Sequence, residues 1–327
     1  MNTFGNKLRV TVFGESHGEL IGVVLDGVPA GLPLSADDFL ADLDRRRSGA
    51  RGTTSRHESD APHIVAGIYE GHTTGAPLAI TFDNGDTRSG DYASLLDHPR
   101  PSHADFVAAR KFHGFNDPRG GGHFSGRLTL TLVAAGVVAK KMIAPIAVAA
   151  VIKSIGGSSD SAEFQSIIEA AMADGDSVGG VIECTATGVP VGLGEPFFDS
   201  VESLASHLLF SIPAVKGVEF GSGFAAAALR GSQNNDPIIS PDGRTATNNA
   251  GGIVGGITNG NPIVIRVAVK PTPSISRTQN TLRISTGQVE SLAIKGRHDA
   301  CIALRVPVVV EAAIAIALAQ LIPDPRL

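Results

Sequence analysis

Apolar and polar positions alternate through Arg9-Val10-Thr11-Val12-Phe13 and again through Ile263–Val269, the two-residue period of strands with one covered face. Strand-like runs also occupy residues 21–25 and 181–187. Each leads into a recurring hexapeptide, Gly27-Val28-Pro29-Ala30-Gly31-Leu32 and Gly188-Val189-Pro190-Val191-Gly192-Leu193. A helix is predicted after each copy. The first starts near Ser35, with Asp38 three residues on as in a capping box, and the second spans about 199–210. Ala/Val-rich stretches at 132–150 and 308–321 read as two more helices.

A second set of matches follows in the same chain order. Gly67-Ile68, Gly71, Thr73, Gly75, Pro77-Leu78 and Ile80 share their internal spacing with Gly252-Ile253, Gly256, Thr258, Gly260, Pro262-Ile263 and Ile265. This implies an internal duplication, roughly 1–150 against 151–327, folded as one domain over 1–327 because no Pro- or Ser-rich linker joins the halves. Strands alternating with helices and glycine turns predict an α+β fold in layers. No strand–Gly-x-Gly-x-x-Gly–helix unit and no phosphate-loop lysine motif occurs, so a nucleotide or flavin site is not expected to be of Rossmann type.

Composition narrows the function. The 39 glycines among 327 residues exceed the usual share of about 7%, which points to many tight turns and close backbone approaches. A net charge of −5 argues against nucleic acid or an acidic membrane as partner. Two cysteines, Cys184 and Cys301, exclude a disulfide scaffold and suit a reducing cytoplasm, and no histidine spacing suggests a metal. The apolar stretches near 132–151 and 306–322 are interrupted by Lys140, Lys141 and Glu311, so no membrane span is expected.

Against that acidic background the cationic residues stand in clusters. Arg45, Arg46, Arg47, Arg51 and Arg56 fall within one short segment without lysine, and arginine is the residue suited to bidentate grip on carboxylate or phosphate. Arg119-Gly120-Gly121-Gly122-His123 leads toward Arg127 and a helix-like stretch, where glycine-freed amides form an anion site. Arg100-Pro101-Ser102-His103-Ala104-Asp105 and Gly296-Arg297-His298-Asp299 are dense in ionisable groups. Gly14-Glu15-Ser16-His17-Gly18 matches the nucleophile-elbow pattern, but a strand rather than a helix follows it. A serine hydrolase, a small-polyanion enzyme and a non-catalytic anion binder all remain open on these residues.

Taken together these segments, with residues 42–47, 211–221, 249–256 and 270–274, resemble the chorismate synthase family over essentially the whole chain. The resemblance implies a β-α-β sandwich and a homotetramer. It also implies anti-1,4-elimination of phosphate from 5-enolpyruvylshikimate 3-phosphate to chorismate, the last step of the shikimate pathway. The resemblance further implies a requirement for reduced FMN, with the reducing equivalents supplied by an external source. By the same resemblance His17 protonates the leaving phosphate, His103 protonates the reduced flavin, and Asp299 assists proton uptake at the flavin. Ser16, Arg46, Arg51, Arg100, Arg127 and Arg297 match positions that hold substrate or phosphate. Flavin contacts carry over to Ser125, Pro213, Ala214, Gly255, Lys270, Pro271, Thr272, Pro273, Ser274 and Arg297. After the triple glycine most relatives have Arg-Ser-Ser-Ala-Arg, whereas this chain has His123-Phe124-Ser125-Gly126-Arg127. His123 and Phe124 are therefore expected at the cofactor, with protonated His123 replacing the missing cation.

Overall fold

The computed structural model of the protein describes residues 1–56, 58–86, 95–294, 296 and 298–322. The first half contains β1 (Thr3–Phe4), β2 (Arg9–Gly14), β3 (Leu20–Asp26), α1 (Asp37–Arg46), β4 (His63–Ala66), β5 (Ile68–Tyr69), β6 (His72–Thr73), β7 (Leu78–Asp83), α2 (Asp105–Lys111) and α3 (Thr129–Met142). The second contains β8 (Ala147–Ile155), α4 (Phe164–Ala173), β9 (Gly180–Thr187), α5 (Val201–Ser211), β10 (Val215–Phe220), α6 (Gly231–Asn234), β11 (Ile253–Val254), β12 (Ile257–Thr258), β13 (Ile263–Val269), β14 (Gln279–Arg283), β15 (Gln288–Leu292) and α7 (Pro307–Leu321).

Two antiparallel sheets, ordered β1-β2-β3-β7-β4 and β10-β13-β9-β8, enclose a helical layer. Helix α3 packs on β2, β3 and β7, helix α7 on β8 and β9, and the two helices pack on each other. Each is apolar nearly all round, which suits a helix with protein on every side. The layering is that of a β-α-β sandwich. At the α3–α7 crossing a Cβ on Gly136 would lie 2.5 Å from the Ala312 Cα, so glycine is what lets the helices approach.

With the short edge strand β1 set aside, the two sheets share one connectivity: first strand, second, last, then third, with a small hairpin inserted before the last. The repeated hexapeptides end in matching bonds. Buried Thr73 donates its hydroxyl proton to the Pro29 carbonyl and accepts from the Leu32 amide; buried Thr258 does the same with Pro190 and Leu193. The Thr73 and Thr258 hydroxyls thus satisfy backbone groups inside the fold.

Helix starts fall close to expectation. The Asp38 carboxylate accepts from the Ser35 amide at 2.8 Å, and the Ser200 hydroxyl caps α5 by accepting from Ser203 at 3.0 Å. The expected helix at 132–150 needs correction: α3 stops at Met142, and Ala147–Ile155 becomes the edge strand β8. Pro145 denies the helix an amide there, and a run of Ala, Val and Ile serves equally as strand once β9 offers a ladder.

One buried carboxylate locks the layers. Glu311 of α7 accepts from Arg45 at 2.8 and 2.6 Å, from Lys140 at 2.8 Å and from the Ala150 amide at 2.8 Å. Burial alone would raise its pKa, yet the bonds from Arg45 and Lys140 hold it below the ordinary carboxylate range.

Candidate active site

The turn between β2 and β3 carries Ser16 and His17. Antiparallel pairing of Gly14 with Ile21 makes it a hairpin connection, without the helix a nucleophile elbow needs. The triple glycine closes over it. Gly120, Gly121 and Gly122 all have positive φ, and the Gly122 carbonyl accepts from the Ser16 amide at 3.1 Å. A Cβ at Gly120 would strike the His17 ring and come 2.9 Å from Ser16 Oγ. Gly120 is what permits this close approach, while a Cβ on Gly122 would strike the Asp117 carbonyl. His123 donates from Nδ1 to the Gly14 carbonyl at 2.9 Å, so its other nitrogen is an acceptor until the ring is protonated.

The arginine cluster disperses, because successive residues at the end of α1 leave on different faces. Arg45 turns to Glu311. Arg46 is buried, donating to the Thr129 hydroxyl at 3.0 Å and the Gly126 carbonyl at 2.8 Å. Arg127 donates to Asn84 Oδ1 at 3.0 Å, to the Asp83 carbonyl at 3.1 Å and to the Asp60 carboxylate, which also lies 3.8 Å from Arg46. Arg56 reaches back to the turn, donating to Ser16 Oγ at 2.9 Å and to the Ser16 carbonyl at 3.0 Å, while Glu58 accepts from its other edge. Burial first, then the cationic Arg56 and Arg119, push the His17 pKa below its ordinary value.

On the opposite wall, Arg100 forms a two-pronged bond to Asp105, 2.7 Å on each side, and donates to Ser274 Oγ at 3.0 Å. His103 Nδ1 lies 2.6 Å from Asp105 Oδ1. Burial would raise the Asp105 pKa, but the bonds from Arg100 and His103 hold it far below the usual range. Lys270 donates to the Ser102 carbonyl at 2.7 Å, and its amide donates to the carbonyl of Ala214, a residue with φ of 75°. Strained non-glycine backbone of this kind is tolerated where a site demands it. Asp299 accepts from the Thr54 amide at 2.9 Å and from Arg305 at 3.3 Å.

These walls bound a cavity of about 750 Å³. Among the described residues, eight arginine and lysine side chains and three carboxylates line it, in a chain of net charge −5. Ser16, Arg46, Arg100, His103, His123, Phe124, Ser125, Arg127, Pro213, Ala214, Lys270, Thr272, Pro273, Ser274 and Asp299 all reach it. His17 is not on the wall itself but packs against Gly120, which is. Three expected residues stand elsewhere. Arg51 is exposed and pairs with Glu169 at 3.1 Å, Gly255 is in the β11–β12 turn, and exposed Pro271 is off the cavity wall between two residues that line it. Arg297 lies outside the described residues. The site also uses Glu58, Asp60, Lys216 and Arg305, which sequence reading did not assign. Arg305 stands among apolar residues a few positions after the Gly296–Asp299 segment, and nothing local marks Asp60 as the shared partner of two distant arginines.

The chorismate synthase family model matches residues 8–322. The chain is 60% identical over 321 residues to the chorismate synthase of Chitinophaga pinensis, covering 98% of this chain and 96% of that protein. It is 46% identical over 349 residues to the chorismate synthase of Dehalococcoides mccartyi, covering 98% and 96%. A crystal structure of chorismate synthase aligns with a TM-score of 0.74 at 29% identity, covering 97% of this chain and 92% of that one. With a matching family model, relatives similar along its whole length and a solved structure of the same fold, the chain belongs to the chorismate synthase family.

Proposed function

We propose that this protein is a carbon–oxygen lyase that eliminates phosphate from 5-enolpyruvylshikimate 3-phosphate to give chorismate, using reduced FMN. The observation that carries the reading is the excess of arginine and lysine over carboxylates on the cavity wall, with His103 beside them. The substrate has two carboxylates and a phosphate, and concentrated guanidinium groups are what such a ligand requires.

The wall also fits a flavin. Leu128, Leu132, Ile212 and Val306 supply apolar surface for a ring system, beside Pro213 and Ala214, while Lys270 and the arginines suit a phosphate. Lys270, Thr272, Pro273, Ser274, Ser125 and Ala214 would hold it, and when bound it lends electron density to the breaking C–O bond and takes it back. The chain's own residues orient the anionic substrate, neutralise the departing phosphate and handle protons. Burial and the cationic Arg56 and Arg119 depress the His17 pKa; an arriving phosphate offsets both cations and raises it, so the ring gains its proton when a donor is needed. Asp299, held by Thr54 and Arg305, presents a fixed carboxylate. Family likeness further supports a single duplicated domain, a homotetramer and a separate flavin reductase, and the buried free thiols Cys184 and Cys301 suit the cytoplasm.

The hydrolase alternative is disfavoured because the Ser16 hydroxyl is buried and accepts from Arg56, a group that is no base. Anaerobic assay of purified protein with reduced FMN and the enolpyruvyl substrate is expected to yield chorismate. It is expected to lose most turnover in His17→Ala and His103→Ala; no chorismate from the wild type would overturn the assignment.

A further inference from the structure

Proton transfer at His103 depends on which ring nitrogen carries the hydrogen in the neutral form, and its neighbours decide this. Nδ1 faces two groups: Asp105 Oδ1 at 2.6 Å and Arg100 Nη2 at 3.0 Å. A guanidinium only donates and an ionised carboxylate only accepts. If Nδ1 held a lone pair, that lone pair would face carboxylate oxygen at 2.6 Å with no hydrogen between them, a repulsive contact. If Nδ1 holds the hydrogen, the shorter contact becomes a charge-assisted bond, and the N–H of Arg100 at 3.0 Å then faces a second donor, a repulsion offset by the carboxylate that accepts from both.

The carboxylate has no freedom to turn away. Arg100 occupies both Asp105 oxygens through Nε and Nη2, its own backbone amide adds a third bond at 3.1 Å, and Nη1 ties the assembly to Ser274 Oγ. The side chains of Arg100 and Asp105 are both more than nine-tenths buried, so water does not compete for these bonds. We propose that Asp105 is a positioning residue for His103. It fixes the Nδ1–H tautomer and leaves Nε2 as the nitrogen that receives and returns a proton, with Arg100 and Ser274 bracing Asp105 from behind. Such a second partner sets both ring orientation and tautomer. Its bearing on turnover rests on the function proposed above, whereas the tautomer does not.

The test uses the full chain labelled with 15N-histidine, without cofactor, at about pH 8 where an ordinary imidazole is neutral. Proton–nitrogen correlation spectra report the tautomer, and the His103 signals are identified by their loss in His103→Gln. The expected result is a protonated Nδ1 and an unprotonated Nε2 in the wild type. Asp105→Asn should shift the ring toward the Nε2–H form and lower anaerobic turnover by about 10²-fold with little change in KM. Asp105→Glu, which keeps a carboxylate, should retain more turnover than the Asn variant. A wild-type ring found as Nε2–H, or an Asp105→Asn protein with its tautomer unchanged, would overturn the proposal. Wild-type protein with Nδ1–H that makes no chorismate would instead defeat the assigned reaction and leave the tautomer standing.

Discussion

Gly136→Ala sets two effects of opposite sign against each other. Inside a helix, alanine is favoured over glycine by about 1 kcal/mol, so α3 alone would gain from the change. The neighbouring helix reverses the sign. The new methyl would collide with the Ala312 Cβ and lie 2.5 Å from its Cα, against about 3.5–4.0 Å for carbon atoms in ordinary contact. Relief requires the helices to part by roughly 1 Å. Neither has room to retreat, because α3 is backed by β2, β3 and β7, and α7 by β8 and β9. Overpacking costs about 1–3 kcal/mol, and a clash with backbone, which cannot rotate aside, belongs at the upper end. The net loss is then about 2 kcal/mol, or about 4–8 °C in Tm at the 2–4 °C per kcal/mol of larger domains. Thermal unfolding followed by circular dichroism measures it. Adding Ala312→Gly removes the nearest atom but leaves the Cα in place, so the double variant should recover less than half of the loss. A Gly136→Ala protein that melts at or above the wild-type temperature would refute a backbone-limited crossing.

Three further outcomes are expected. His17 titrates below about 6.5 in the free protein. The unfolded ring therefore binds a proton first as pH falls, and stability is lost from about pH 6.5 down through the lowered folded pKa; histidine NMR should show this, and also an upward shift on adding inorganic phosphate, whose absence would count against anion coupling. Glu311→Gln should cost about 2–3 kcal/mol in urea unfolding at neutral pH. Since the folded pKa is depressed, the wild-type advantage is present above about pH 4.3 and shrinks as pH falls through the folded value; an advantage that persists undiminished in acid would contradict the network. His123→Ala should weaken FMN binding several-fold in a fluorescence titration, and should also loosen the Gly14 turn it anchors; unchanged affinity would mean that the ring does not replace the lost cation.

The basic cavity also explains how an acidic protein recruits a polyanion. On the wall Glu58, Asp60 and Asp299 hold Arg56, Arg127 and Arg305, and Asp105 holds Arg100 from behind. That arrangement keeps guanidinium groups in place without cancelling their charge, so ligand anions meet preset donors rather than mobile side chains.

Periodicity and turn chemistry alone were enough for β2, β3, β9 and β13, for the Ser35–Asp38 start of α1 and for the repeated Gly-Val-Pro turns, because these depend on residues within a few positions of one another. Ile263–Val269 emerged as a strand to the residue. The same kind of reading extended α3 too far, since an Ala/Val/Ile run is compatible with a buried helix and with an edge strand, and only the ladder offered by β9 selects between them. It also treated the arginine segment as one cluster. Folding sends Arg45 to Glu311, Arg46 to the cavity, Arg51 outward to Glu169 and Arg56 to Ser16, because each guanidinium goes where a carboxylate or carbonyl waits on another element. Local composition specifies which groups are available and which backbone shapes they permit. Which of them face the ligand is decided by partners far away in sequence, since a buried charge is stable only where the assembled fold brings an opposite one to it.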